Sequence, residues 1–282
     1  MTIKLISLIK IALKRVPFVQ MLVKRLREPN DFSTVLSNVS HNDILLFANG
    51  VAVPPIIMRE KVRKGAILAE AFLIEGRQAL DAILEILKKN KIEIVDNTSI
   101  LEFGVGCGRI ARHFPSLKTG NFTGSDIDPE LVEWCNVHLG DVVASDNKPN
   151  FIRNDYLPPI ALPDGKFDLI YSISVITHMN ADIQLLWLKE LHRLLKPKGH
   201  LLLSILEKSP SELSSGVQVV ERIDLEFDRS WLGKNGAPAV YYNTYNTVSY
   251  LKDKLKNDFE LIDVERKVIR NTQTLILLKR KI

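Results

Sequence analysis

SILEFGVGCGRIARHF, Ser99 to Phe114, holds a short apolar run, an acid, three alternate glycines and a helical pattern. Ser99 to Phe103 reads as a buried parallel strand. Gly104, Gly106 and Gly108 then allow a turn in which backbone approaches a ligand closely. Ile110, Ala111 and Phe114 recur at helical spacing, so the turn is expected to open a helix whose free N–H groups face that ligand. With Glu102 at the strand end, the stretch describes a nucleotide-type cradle with an acid beside it.

The glycine spacing separates two cofactor classes. A dinucleotide fingerprint, G-x-G-x-x-G, needs a third glycine at position 109, which is Arg109. The pattern present is E-x-G-x-G-x-G. The next strand is Phe122 to Ser125, and Asp126 ends it 22 residues after Gly104. An acid there is placed to accept hydrogen bonds from ribose hydroxyls. Asp128 caps the following helix and Pro129 fits its first position. Asn150 to Arg153 forms a third strand, after which Asp155 can accept from an adenine amino group. Phe167 to Ser172 is a fourth strand, leading through Ile173 to His178 and Met179. A helix over 182–195 with a strong apolar face follows, then the turn Lys196 to Gly199 and a strand over 200–206.

Residues 207–245 break this alternation and are a candidate substrate cap. A strand-like piece is expected at 219–228. A helix over 248–255 and two final strands, 259–264 and 272–278, close the chain as an edge hairpin. Upstream, Gly65 to Lys91 keeps a helical period.

The chain has 282 residues and a net charge of +5, with 46% apolar and 25% charged residues. Residues 1–28 carry +6, so the other 254 sum to −1. The basic balance thus belongs to the amino-terminal stretch, and no nucleic-acid partner is expected of the domain. Leu5, Leu8, Ile9, Ala12, Leu13 and Val16 share one helical face opposite Lys4, Lys10 and Lys14. This basic amphipathic stretch suits an anionic membrane surface, packing on its own domain, or a homodimer contact. Lysines break its apolar region and no small-residue cleavage site follows, so a signal peptide is not expected. Cys107 and Cys135 form no disulfide framework or metal-site spacing, making a reducing cytoplasm the default. No apolar run approaches the about 20 residues that span a bilayer.

Taken in order, the glycine turn, Asp126, Asp155, FDLIYSISVITHM (Phe167 to Met179), LLKPKG (Leu194 to Gly199) and a terminal strand pair resemble a class I S-adenosylmethionine (SAM) dependent methyltransferase. The likeness covers about 65–282. Its nearest flavour is a group of bacterial small-molecule methyltransferases, some associated with surface-polysaccharide gene clusters, whose proline and histidine pattern corresponds to Pro158-Pro159 and Ser174 to Met179. The resemblance implies an α/β fold: a Rossmann-like, mostly parallel seven-stranded sheet, helices on both faces, the last strand antiparallel. To this the chain adds an N-terminal helical segment and a cap insertion. Residues 1–64 would be a lid or substrate-side segment and 65–282 the methyltransferase domain. Glu102, Gly104, Gly106 and Gly108 would hold the methionine end of SAM, Asp126 the ribose with Ile127 beside it, and Asp155 would lie by adenine. Ser172 and Ile173 would floor the site under the sulfonium. Lys198 and His200 depart from the usual Pro-Gly-Gly turn, away from the cofactor.

Methyl transfer needs an acceptor atom aligned with the C–S bond and no covalent protein nucleophile. His178 is the candidate base; holding its loop by a hydrogen bond is the alternative. Tyr241, Tyr242 and Arg59 are weaker candidates for acceptor contacts. The reading is a methyltransferase acting on an O or N atom of a small molecule, such as a sugar or lipid-linked glycan. A protein or RNA methyltransferase is the alternative, and an NAD-dependent oxidoreductase or a non-catalytic scaffold stands behind it.

Overall fold

The computed structural model describes residues 46–48, 51–63, 68–116, 121–140, 148–221 and 242–282. The basic stretch 1–28, Tyr241 and residues 222–240 of the cap candidate lie outside them. Leu46 to Ile282 form one compact unit, so the boundary drawn at 64/65 falls inside it.

The chain order is β1 (Leu46–Ala48), β2 (Val51–Val53), α1 (Ile56–Val62), α2 (Ala69–Lys89), β3 (Ser99–Phe103), β4 (Asn121–Asp126), α3 (Pro129–Leu139), β5 (Asn150–Arg153), β6 (Phe167–Ser172), α4 (Ala181–Leu194), β7 (Leu195–Glu207), β8 (Val217–Glu221), β9 (Tyr242–Asn246), α5 (Val248–Leu255), β10 (Phe259–Ile269) and β11 (Gln273–Arg280). The central sheet runs β10-β11-β7-β6-β3-β4-β5. β5, β4, β3, β6 and β7 are mutually parallel, while β11 is antiparallel to both β7 and β10. Along this path it is the Rossmann-like sheet expected, seven strands with an antiparallel last one, and β8 and β9 bring the whole sheet to nine strands.

Every residue of β3 is buried, because helices cover both sheet faces. Alternate residues serve opposite layers. Ile100, Leu169, Tyr171, Leu202 and Leu275 pack with α2 and α3, while Leu101, Ile170, Leu201, Leu203 and Ile276 pack with α4 and α5. β1 and β2 pair antiparallel, and Ala52 joins the first layer with Met58 and Val62 of α1 against it.

Three local expectations change. The helix foreseen after the glycine turn is a 3₁₀ segment, Ala111–Ser116. Pro115 lies within it and cannot donate the bond that an α-helix would need there. The Lys196–Gly199 turn is a bulge inside β7: pairing with β6 jumps from Phe167↔Leu195 to Leu169↔His200. Finally, β8 and β9 form an antiparallel ladder whose β9 continues in parallel beside the end of β7, Leu206↔Tyr245. The last hairpin closes through Arg270 and Asn271, both with positive φ (52° and 56°), a type I′ pattern that matches strand twist.

Candidate functional site

The strand order reverses at β3, which has β4 on one side and β6 on the other. The two crossovers leave on opposite faces, and a cleft opens beyond the carboxyl ends of these strands. It is lined by Glu102, Gly104, Gly106, Asp126, Ile127, Asp155, Ile173 and His178, all singled out from sequence. Lys61, Arg109, Asn154, Tyr156 and Ser174 line it too.

The glycine turn is built from its own amide groups. Gly104 and Val105 N–H both donate to Ser125 O (2.8 and 2.9 Å), Gly108 N–H to Val105 O (3.0 Å), and Gly106 N–H to Asp126 Oδ2 (2.7 Å). These donors are therefore spent inside the protein. The two cleft glycines hold positive φ, 82° at Gly104 and 56° at Gly106. A Cβ at Gly106 would come 2.6 Å from Val62 Cγ2 and one at Gly104 2.1 Å from Val175 Cγ2. Gly108 is absent from the cleft lining; its missing Cβ makes room for Leu139 Cδ1 at 2.1 Å, under α3.

A buried and a half-buried carboxyl group face the cleft. Glu102 is 3% exposed and accepts from Tyr171 Oη at 2.8 Å. Burial pushes its carboxyl up to about 8, against the pull of that phenol and of Arg109. Asp126 is pushed up to about 6 by burial, while the Asp128 and Gly106 amides pull the other way. Its second oxygen accepts from Asp128 N–H at 3.0 Å. Asp155 is exposed and meets Arg153 at 3.2 Å. Its neighbour Asn154 is buried, donates Nδ2 to Asp155 O at 2.9 Å, and leaves Oδ1 without a partner. Sequence reading passed over Asn154, whose one signal was its place at the end of β5.

On the other side, β6 ends in a turn that carries Ile173, Ser174 and His178. Ser174 has φ 62°, held by its N–H on Ser204 Oγ (2.7 Å) and its hydroxyl on the Gln273 amide. Ser172 lies outside the lining; its buried Oγ donates to Phe103 O at 2.9 Å and ties β6 to β3. His178 Nδ1 is 3.0 Å from Tyr242 O. Arg59 is buried away from the cleft lining with Nη1 on Pro54 O at 2.6 Å. Burial pushes the Cys107 thiol up to about 12, which keeps it un-ionised and a poor nucleophile. Among the described residues no group of acids, histidines and cysteines could hold a metal ion, and no helix is long and apolar enough to cross a membrane.

The arrangement offers an acid for a cation, carboxylate lone pairs for hydroxyls, an amide oxygen for an amino group, and apolar walls between them. The Methyltransferase domain family matches residues 101–203, from β3 into β7. Phosphoethanolamine N-methyltransferase of Plasmodium falciparum is 30% identical over 138 residues, 49% of this chain and 48% of that protein. The chain thus spans about half the length of this curated relative. Magnesium protoporphyrin IX methyltransferase from Synechocystis PCC 6803, solved with bound SAH, superposes with a TM-score of 0.52 at 16% identity, over 76% of this chain and 88% of that one. A SAM-dependent methyltransferase from Clostridium acetobutylicum gives 0.50 at 15%, over 73% and 92%.

Proposed function

We propose that this chain, which belongs to the class I SAM-dependent methyltransferases, transfers a methyl group from SAM to an O or N atom of a small molecule. The observation that carries the reading is one of coincidence. The matched span, 101–203, contains Glu102, Gly104, Gly106, Asp126, Asn154, Asp155, Ile173 and His178, and all eight line a single cleft.

The chemistry of those groups fits SAM part by part. Glu102, once ionised, would accept from the ammonium of the methionine end. Asp126 keeps lone pairs for two ribose hydroxyls after its bonds to Gly106 and Asp128. The unpartnered Asn154 Oδ1, with Asp155 beside it, would accept from the adenine amino group. Ile127 and Ile173 would wall the two faces, and the absent Cβ atoms of Gly104 and Gly106 let Val175 and Val62 close against the turn. SAM supplies an electrophilic methyl group when bound. The chain's part is to align the acceptor, exclude water and take up a proton at His178.

A neutral acceptor, such as a sugar hydroxyl, is favoured over a phosphorylated one. Both cations lining the cleft already face carboxylates: Lys61 meets Asp128 and Glu130 at 2.9 and 2.8 Å, and Arg109 lies 4.0 Å from Glu75. Titration calorimetry with SAM and with NAD tests the cofactor; binding of NAD in place of SAM overturns the reading. Transfer of tritiated methyl from SAM, first to phosphoethanolamine and then to fractions of a host lysate, tests the acceptor. Label in the small-molecule or lipid-extractable fraction supports the proposal. Label in protein or RNA moves the acceptor to a macromolecule, and methylation of phosphoethanolamine overturns the neutral-acceptor part.

A further inference from the structure

We propose that strand β9 fixes the tautomer of His178, which makes the insertion part of the catalytic machinery and not only a cover. The purpose assigned to this lock rests on the methyltransferase reading; its geometry does not.

A carbonyl oxygen can only accept, so the 3.0 Å contact between His178 Nδ1 and Tyr242 O requires the hydrogen on Nδ1. The neutral ring then carries its lone pair on Nε2. The contact is one of three. Thr244 Oγ1 donates to Met179 O at 2.5 Å, on the residue after His178. Asn246 exchanges hydrogen bonds with the Gln184 amide (3.2 and 3.4 Å), and Gln184 Nε2 donates to Ile176 O at 2.7 Å. Tyr242, Thr244 and Asn246 are alternate residues of β9, as period-two geometry requires of a strand that docks along one line. Thr244, Asn246 and Gln184 are fully buried. β9 is itself anchored between β8 and the end of β7. The carbonyl that orients the imidazole is therefore held by a strand, not by a free loop.

The lock matters because only one tautomer can act as a base from Nε2. As the acceptor oxygen bonds to the methyl carbon, its O–H proton passes to Nε2 and the C–S electron pair returns to sulfur. The imidazolium keeps its Nδ1–H on Tyr242 O, and Nε2 later releases the proton to water. Tyr242 and Thr244 are thus positioning residues that act through His178.

Long-range ¹H–¹⁵N NMR of the full chain labelled at histidine reads the tautomer directly. His178→Asn identifies the His178 signals by their loss, since an Asn amide can still donate to Tyr242 O. The wild-type ring is expected to show a protonated Nδ1 and a pyridine-like Nε2; a protonated Nε2 overturns the proposal. Thr244→Val should lower the Nδ1–H to Nε2–H ratio about tenfold, the effect of one hydrogen bond, while Thr244→Ser should restore it. An unchanged ratio in Thr244→Val removes β9 as the cause. SAM titration of the same samples is read separately: lack of binding sinks the methyltransferase reading and leaves the tautomer result standing.

Discussion

Gly106 and Gly108 share a motif and a positive φ, yet they answer to different demands. An alanine at Gly106 pays the left-handed backbone cost of roughly 1–2 kcal/mol and pushes its Cβ toward Val62 in the cleft. Gly106→Ala is expected to weaken SAM binding at least about tenfold, measured by calorimetry. Gly108→Ala drives its Cβ into Leu139 under α3, an overpacking cost of about 1–3 kcal/mol. It should lower Tm while the folded fraction keeps wild-type SAM affinity; equal losses of binding in both variants would refute the division. Glu102 leads to a test by pH. Its folded value of about 8 stands above the ordinary 4.5, so the folded state holds a proton that the unfolded chain releases. That stability is complete below about 4.5 and is lost as pH rises toward 8, and Asp126, raised to about 6, adds the same sign over a lower window. Urea unfolding without cofactor should therefore lose on the order of 1 kcal/mol per pH unit in this range, and Glu102→Gln should flatten the slope. Spacing alone made the glycines and both acids legible. It could not separate Gly108 from the cleft glycines or reveal Asn154, because a packing contact and an orphaned oxygen exist only after folding.

At the scale of elements, α1 is a strap. Lys61 reaches Asp128 and Glu130 at the start of α3, Arg63 meets Glu75 of α2 at 2.6 Å, and Val62 lies on the glycine turn between them. Lys61 and Asp128 are each 10% exposed at the side chain, so the pair is screened less than a surface ion pair. Lys61→Met should quicken SAM dissociation roughly threefold to tenfold, followed by stopped-flow tryptophan fluorescence. Wild-type release should also quicken with added salt, and a variant that keeps the wild-type rate would show that α1 does not gate the cleft. Of these elements, β3, β4, β6 and α4 were legible because period and punctuation agree along each. The strap was not, since its partners are 67 and 69 residues away in sequence. Nor was the pairing of β9 with β7 and β8. Strand partners 20 or more residues apart leave no local periodicity to read, whereas Pro115 did carry the reason why the segment after the glycines is 3₁₀.

For the whole molecule, one topological fact places the cleft. With β3 between β4 and β6, successive crossovers diverge at the carboxyl ends of the strands, so residues as far apart in the chain as Glu102 and His178 line one space. The alternation of strands and helices in the sequence contains that fact, which is why the fold could be read before the acceptor. Charge follows a different division. Residues 1–28 carry +6 and the remaining 254 carry −1, so electrostatic attraction to an anionic surface resides in a tenth of the chain. Each Lys or Arg close to an anionic bilayer contributes about 1 kcal/mol at modest ionic strength, so seven of them suffice for measurable binding even after partial screening. The apolar residues Leu5, Leu8, Ile9, Ala12 and Leu13 would add burial at the headgroup boundary. The full chain should therefore sediment with vesicles containing phosphatidylserine, less so as salt is raised, and not with neutral vesicles. Deletion of residues 1–28 should leave the protein in the supernatant with its SAM affinity intact. Unchanged sedimentation of the deleted chain would place the membrane contact elsewhere, and loss of SAM binding would show that the basic stretch serves the domain itself.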